Sequence, residues 1–408
     1  MNTEKQQEAI DKILSGANIF LTGGGGVGKS FVINQVSDDY TILAAPTGIA
    51  ALNIGGVTCH SFFGLPLSGV KENDQYKFPS KNLQALKSTK RIIIDEVSML
   101  RSDYLDLIDL KLKHALKNSS PFGGKQVVLT GDFYQLESIV QRWEAIKFQT
   151  EYKSAFAFSA NCWDFETVEL TEVKRQANNH HTSLLNNIRK GVDYENALEE
   201  LQCLAKPYKN CPDTLHLCCY NKDSDEINKH WYNELKGKSK LFHCKKTKGF
   251  GKAVPVPESV SIKVGCKVLL CANNPDDGYV NGDRGVVTGF DNKSVDVLLD
   301  SGKSVRVKQY TWDKVGYQGS EGGVKKWSEE SYTQLPIKLG WAVTVHKSQG
   351  MTLEKAAVHI GKGCFGHGQL YVALSRIKDL TELSFVKHVS SENVIIKSEV
   401  KDFYGKRY

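Results

Sequence analysis

The stretch Gly23-Gly24-Gly25-Gly26-Val27-Gly28-Lys29-Ser30 decides how the chain is read. It matches G-x-x-x-x-G-K-[ST], the pattern of a loop that wraps phosphates. Its context fits, because Asn18-Ile19-Phe20-Leu21-Thr22 reads as a buried strand before it and a helical stretch follows. Glycines such as Gly23, Gly26 and Gly28 let backbone N–H groups close on an anion, and the helix N-terminus adds its dipole. Lys29 is expected to reach the β- and γ-phosphates, and the Ser30 hydroxyl to ligate Mg2+. The consecutive glycines Gly23 to Gly26 also add backbone freedom to the loop.

Outward from this loop, short apolar runs recur at Thr41 to Ala45, Arg91 to Ile94 and Gln126 to Thr130, with helical stretches between them. That alternation predicts a parallel sheet with crossover helices, hence an α/β fold. Leu105, Ile108, Leu112, Ala115 and Leu116 share one helical face, with Ser102 and Asp103 as the start. The run Ile92-Ile93-Ile94 ends in Asp95-Glu96, at the strand edge where open α/β sheets bind ligands. Asp95 is expected in the Mg2+ shell, and Glu96 is expected to orient and deprotonate the attacking water. Another run leads through Gly131-Asp132-Phe133-Tyr134 to Gln135, which is placed to sense the γ-phosphate. Arg175 and Arg376 are candidates to stabilise charge on a transferred phosphoryl group.

Residues 62–85 break the alternation with Gly, Pro, Lys and Asn and read as a surface insertion. From about 262 to 310, short strands separated by polar turns predict a small antiparallel barrel. The α/β texture returns after about residue 334, so the barrel reads as inserted into a second α/β domain.

Composition sets the outer limits. The chain has 408 residues, 40% hydrophobic and 24% charged, which excludes a disordered or fibrous protein. A net charge of +7 permits a polyanionic partner without demanding one. No stretch approaches the ~18 consecutive apolar residues of a membrane span. The opening MNTEKQQEAIDKIL shows no secretory leader. The 10 cysteines read as reduced thiols in a cytosol-like compartment. Cys203, Cys211, His216, Cys218, Cys219, His243 and Cys244 lie near one another but lack the C-x-x-C spacing of a structural zinc site.

Taken together, the motifs resemble a superfamily 1B DNA helicase of the Pif type, over nearly the whole chain. Gln6 in Thr3-Glu4-Lys5-Gln6 resembles the family's adenine-reading motif. Ala45-Pro46-Thr47-Gly48-Ile49-Ala50-Ala51, Asn53-Ile54-Gly55-Gly56 and Thr58-Cys59-His60-Ser61-Phe62 are similar to its first DNA-contact motifs. Asp95-Glu96-Val97-Ser98-Met99, Gly131 to Leu136, His346 to Leu353 and Gly368 to Arg376 match later ones in order. Asn281-Gly282-Asp283-Arg284-Gly285 resembles the motif of the family's inserted barrel.

The resemblance implies two RecA-like P-loop NTPase domains with parallel sheets and ATP between them. It places the first domain at 1–165, with a wedge at 62–85. The second is expected at 166–245 and 334–408, with the barrel at 246–333. It implies ATP and Mg2+ as cofactors, single-stranded and forked or tailed duplex DNA as partners, 5′→3′ movement and action as a monomer; the reduced thiols and the absence of a leader point to the cytoplasm of a bacterium or of a phage- or virus-infected cell, with nuclear and mitochondrial settings open. Nucleotide contacts fall on Gln6, Gly23, Gly26, Gly28, Lys29, Ser30 and Gly350. Catalytic roles fall on Lys29, Glu96, Gln135, Arg175 and Arg376. DNA contacts fall on Pro46, Thr47, Gly48, Asn53, His60, Phe62, His346 and Lys347. Stacking on single strands needs flat side chains beside cations, yet Phe62 and Phe63 read equally well as core packing. The chain departs from the pattern after Leu136, where Glu137-Ser138-Ile139 replaces the usual prolines. A single-strand translocase with little unwinding and a nucleotide-switched binding module stay open as alternatives.

Overall fold

A computed structural model describes residues 2–67, 69–70, 76–172, 179–248, 250 and 254–405. The chain divides into two compact units, Met1–Arg175 with Asp313–Glu330 and Lys397–Tyr408, and Gln176–Trp312 with Ser331–Ile396.

The first unit is built on a parallel sheet. Its strands are β1 (Ile19–Thr22), β2 (Thr41–Ala45), β3 (Val57–Thr58), β4 (Arg91–Ile94), β5 (Gln126–Gly131) and β6 (Glu166–Glu169). Their order is β3-β2-β4-β5-β1-β6. Strands β1, β2 and β4 are buried at every residue, as expected where helices cover both faces. This is why they read as unbroken apolar runs. Thr22 pairs with Gly131 on one side and Glu169 on the other, so β1 delivers the glycine loop to the sheet's C-terminal edge between β5 and β6. Strands β3 and β6 were not foreseen, being too short or too polar to stand out.

The helix Ser102–Leu116 forms where its apolar spacing predicts, but it is buried on more than one face. Asp103 on its first turn is fully covered and pairs with Arg101 at 2.6 Å, and Arg101 also meets Glu144 at 2.7 Å. A charge buried this far needs such partners.

Two segments join this unit from far along the chain. The long strands Tyr310–Ser320 and Gly323–Gln334 are hydrogen-bonded neighbours. Strand β3 pairs with β2 only at Ala44 and Ala45. The Leu43 N–H is taken instead by the Tyr317 hydroxyl at 3.0 Å, which helps to cover a sheet edge that would otherwise stay open. Lys326 donates to the Gly55 carbonyl at 2.6 Å. The C-terminal helix Ser398–Gly405 inserts Phe403 among Phe20, Phe133, Phe158 and Trp163. Residues 397–405, expected with the second domain, therefore group with the first through this aromatic packing, and residues 313–330, expected within the inserted barrel, group with it through the Tyr317 and Lys326 contacts.

The second unit contains a parallel sheet in the order Ala342–Thr344, His216–Cys218, Ala356–His359, Leu383–Phe385. A five-stranded antiparallel sheet runs Ser304–Lys308, Ser294–Leu299, Arg284–Phe290, Lys267–Leu270, Ile337–Leu339. Val268, Leu270, Val287, Val297 and Val307 form its core, together with Trp341. The run expected as one strand from 262 to 271 is split, because Gly265 turns the chain at φ +89° between Ser259–Ile262 and Lys267–Leu270. Arg284, from the motif 281–285, is buried and donates to the carbonyls of Gly340 (2.9 Å) and Asp213 (2.7 Å). Among the described residues, no helix is long and apolar enough to cross a membrane. No cluster of His, Cys, Asp and Glu suited to holding a metal ion by itself occurs among them either.

Candidate nucleotide site and nucleic-acid contacts

The glycine loop leaves β1 at Thr22 and ends at Gly28, which caps the helix Lys29–Val36 in the left-handed region, φ +92°. Gly23 and Gly28 leave no room for a side chain. A Cβ at Gly23 would stand 2.4 Å from the Leu170 carbonyl oxygen, and one at Gly28 would stand 2.4 Å from Gln6 Nε2. Lys29 Nζ donates to the carbonyls of Gly23 (2.7 Å) and Gly24 (3.0 Å). Ser30, one residue on, is exposed at the helix start.

Gln6 is buried under this loop. Its Nε2 donates to the Val27 carbonyl at 3.1 Å, and its Oε1 accepts from the Thr3 backbone N–H at 3.1 Å. Thr3 and Gln6 thus form a reciprocal cap on the helix Glu4–Leu14. The T-x-x-Q spacing was a visible signal for that cap. The same glutamine also props the phosphate loop from below.

Asp95 and Glu96 sit at the end of β4. Thr130 Oγ1 donates to Asp95 Oδ1 at 3.3 Å. Burial pushes the Asp95 carboxyl above its usual range; the Glu96 backbone N–H, the Lys29 charge and the Thr130 hydroxyl pull the other way. A carboxylate that is costly to charge, within the field of a lysine, suits a divalent cation shared with phosphates. Glu96 has φ +53° and ψ 44°, a left-handed conformation uncommon for a non-glycine residue and often found at functional sites. Gln135 is buried, with its Nε2 on Asp132 Oδ2 at 3.3 Å. The structure therefore brings Gln6, Gly23, Gly26, Gly28, Lys29, Ser30, Asp95, Glu96 and Gln135 to one edge of one sheet.

The candidate arginines fare differently. Arg175 lies outside the described residues. Arg376 follows the helix Gln369–Leu374 in the second unit and is 4% exposed. Its Nε donates to the Val372 carbonyl at 3.2 Å and its Nη2 to Ser375 Oγ at 3.0 Å. Gly350, at φ +78°, is exposed in the same unit.

Of the DNA candidates in the first unit, Thr47 caps the helix Gly48–Asn53 by accepting from the Ala50 N–H at 3.2 Å, and Asn53 is exposed at its end. Pro46 and Gly48 flank that cap. His60 is half-buried against Tyr104, ring centroids 5.0 Å apart. Burial and then the Arg101 charge hold its imidazole below the usual range. Phe62 corrects an expectation. It is 1% exposed and packs edge-on against Phe63, Phe78 and Tyr317, so it has no face to offer a base. The segment 62–85 contains the end of the helix Cys59–Phe63 and most of the helix Ser80–Ser88, while 68 and 71–75 lie outside the described residues. In the second unit His346 is half-buried, with its ring parallel to that of Phe365 at 6.4 Å. Exposed Lys347 lines a 440 Å³ cavity with Lys229, Tyr232 and Lys338.

A parallel sheet that delivers a glycine loop, an invading lysine and strand-end acids to one edge defines a P-loop nucleotide-binding protein. Residues 1–201 match the family model described as PIF1-like helicase. The chain is 31% identical to the ATP-dependent DNA helicase Pif1 of Campylobacter jejuni, over 98% of this chain and 97% of that one. The chain belongs to the PIF1-like helicase family. Among solved structures, Bacteroides sp. Pif1 in complex with ADP-AlF4 superposes with a TM-score of 0.92 at 33% identity, covering 100% of this chain and 97% of that one. Bacteroides Pif1 bound to single-stranded DNA has a TM-score of 0.71 at 33% identity over the same shares.

Proposed function

We propose that the protein is an ATP-dependent DNA helicase that moves 5′→3′ along single-stranded DNA and unwinds forked or tailed duplex. The observation that carries this reading is Lys29, held by the Gly23 and Gly24 carbonyls in a complete phosphate loop beside Asp95, in a chain of this family.

Lys29 and the loop's backbone N–H groups bind the phosphates of ATP. Ser30 and Asp95 would hold Mg2+, which supplies neutralising charge on the phosphates when bound. Glu96 orients the attacking water and takes its proton. Gln135 senses the γ-phosphate, and Arg175 and Arg376 stabilise charge on the transferred group. Gln6 supports adenine binding from beneath the loop. Pro46, Thr47, Gly48, Asn53, His60, His346 and Lys347 are the proposed DNA contacts. The segment 62–85 is the proposed wedge and 246–312 the proposed accessory subdomain, in a protein acting as a monomer.

A forked duplex tests the reading. With ATP, a 5′-tailed fork should be unwound and a 3′-tailed fork should not. Unwinding from the 3′ tail alone would overturn the polarity. ATP hydrolysis stimulated by single strands, with neither fork opened, would favour a translocase instead.

A further inference from the structure

We propose that Tyr404 is a positioning residue for ATP hydrolysis, whose hydroxyl ties the stem of the phosphate loop to the stem of the Gln135 loop. The inference rests on the ATP-hydrolysing reading above and extends it to a residue outside the sequence motifs.

Thr22 is the last residue of β1, immediately before Gly23, and its side chain is fully buried. Its hydroxyl lies 2.9 Å from the Tyr404 hydroxyl. The Phe133 backbone N–H donates to that same Tyr404 oxygen at 3.4 Å. Phe133 opens the turn that ends at Gln135. The Tyr404 ring stacks on Tyr134, centroids 4.7 Å apart and planes 11° apart. One side chain thus touches both segments that carry phosphate-facing groups, just beyond the point where Thr22 and Gly131 are sheet partners.

The rest of the helix Ser398–Gly405 holds Tyr404 in place. Phe403 stacks on Phe158 at 4.3 Å. Lys397 pairs with Glu137 at 2.6 Å, in the stretch that departs from the family's prolines. That pair is partly exposed and contributes little energy by itself, but it anchors the start of the helix beside the Gln135 loop. The hydroxyl is the informative atom. A ring alone would satisfy the packing, whereas the oxygen lets two backbone segments share one buried hydrogen-bonding centre.

Tyr404→Phe keeps the ring and the stack and removes only that oxygen. The kcat for ATP hydrolysis, normalised to the folded fraction, should fall about fivefold, equivalent to one ordinary hydrogen bond, with KM for ATP unchanged. Thr22→Val should show the same loss, Thr22→Ser should restore the rate, and the double variant Thr22→Val with Tyr404→Phe should lose no more than either alone. A wild-type kcat in Tyr404→Phe, a loss that merely follows the folded fraction, or additive losses in the double variant would overturn the proposal. A wild-type protein that hydrolyses ATP without responding to single-stranded DNA would overturn the helicase reading and leave the Tyr404 comparison in force.

Discussion

Lys29 Nζ lies 2.7 Å from the carbonyl oxygen of Gly23, so the cation is tied to the first residue of the loop it serves. A fixed ammonium is worth most where charge grows in the transition state. Lys29→Ala should therefore bind single-stranded DNA normally while DNA-stimulated ATP hydrolysis drops by about a hundredfold or more. Steady-state ATPase and strand-separation assays check this, and retained unwinding would sink the phosphate-loop assignment.

Gly28→Ala combines two costs at one position. The backbone sits at φ +92°, and the new Cβ would meet Gln6 Nε2 at 2.4 Å. A left-handed alanine costs about 1–2 kcal/mol, and Gln6 must also give up its place under Val27. Denaturant unfolding should show a loss of at least that size, and nucleotide affinity should fall with it. Gln6→Ala in the Gly28→Ala background should recover part of the lost stability, because the clash is removed.

Phe62 separates core from contact. Its ring is buried among Phe63, Phe78 and Tyr317, so Phe62→Ala should cost about 3–5 kcal/mol of stability. DNA affinity, measured on the folded fraction by anisotropy, should stay at the wild-type value. A loss of about tenfold or more, the size of a lost base stack, would return Phe62 to the DNA surface.

Lys347 is exposed at the rim of its cavity, and its proposed role is a phosphate contact. Lys347→Ala should weaken single-strand binding evenly across sequences. The slope of log affinity against log salt should flatten by about 0.7, one counterion's worth on a single strand. An unchanged slope would remove Lys347 from the path.

His216 sets an expectation for acid. Its Nδ1 donates to the Trp341 carbonyl at 3.1 Å, and its Nε2 lies 3.0 Å from the Tyr208 hydroxyl. Burial lowers its pKa, the Trp341 carbonyl opposes this, and His359 and Arg284 lower it further. A folded pKa below the unfolded one stabilises the protein above about 6.5, and that stability is lost as pH falls through the folded value. The melting temperature should hold near neutrality and drop on acidification. His216→Gln should make the drop shallower, with a residual slope from His60, His346 and His359, whose pKa values are lowered too. An unchanged slope in His216→Gln would show that His216 does not titrate in this range.

By itself the sequence determined the α/β class, the strands β1, β2, β4 and β5, the helix Ser102–Leu116 and the phosphate loop. All of these are local signals. A run buried on both faces must be continuously apolar, and a loop that closes on phosphate must be glycine-rich ahead of its lysine. Tertiary structure alone decided the rest. Phe62 and Phe63 carry the same residue type that a stacking platform would, and only burial assigns Phe62 to the core. Gln6 was visible as a motif, but its place beneath Val27 depends on a helix packed 21 residues away in sequence. Tyr404 meets Thr22 across 382 positions, and no periodicity or spacing encodes a contact of that range. Such contacts form only once the sheet has brought strand ends together, which is why the chemistry-bearing loop was legible in the sequence and its supports were not.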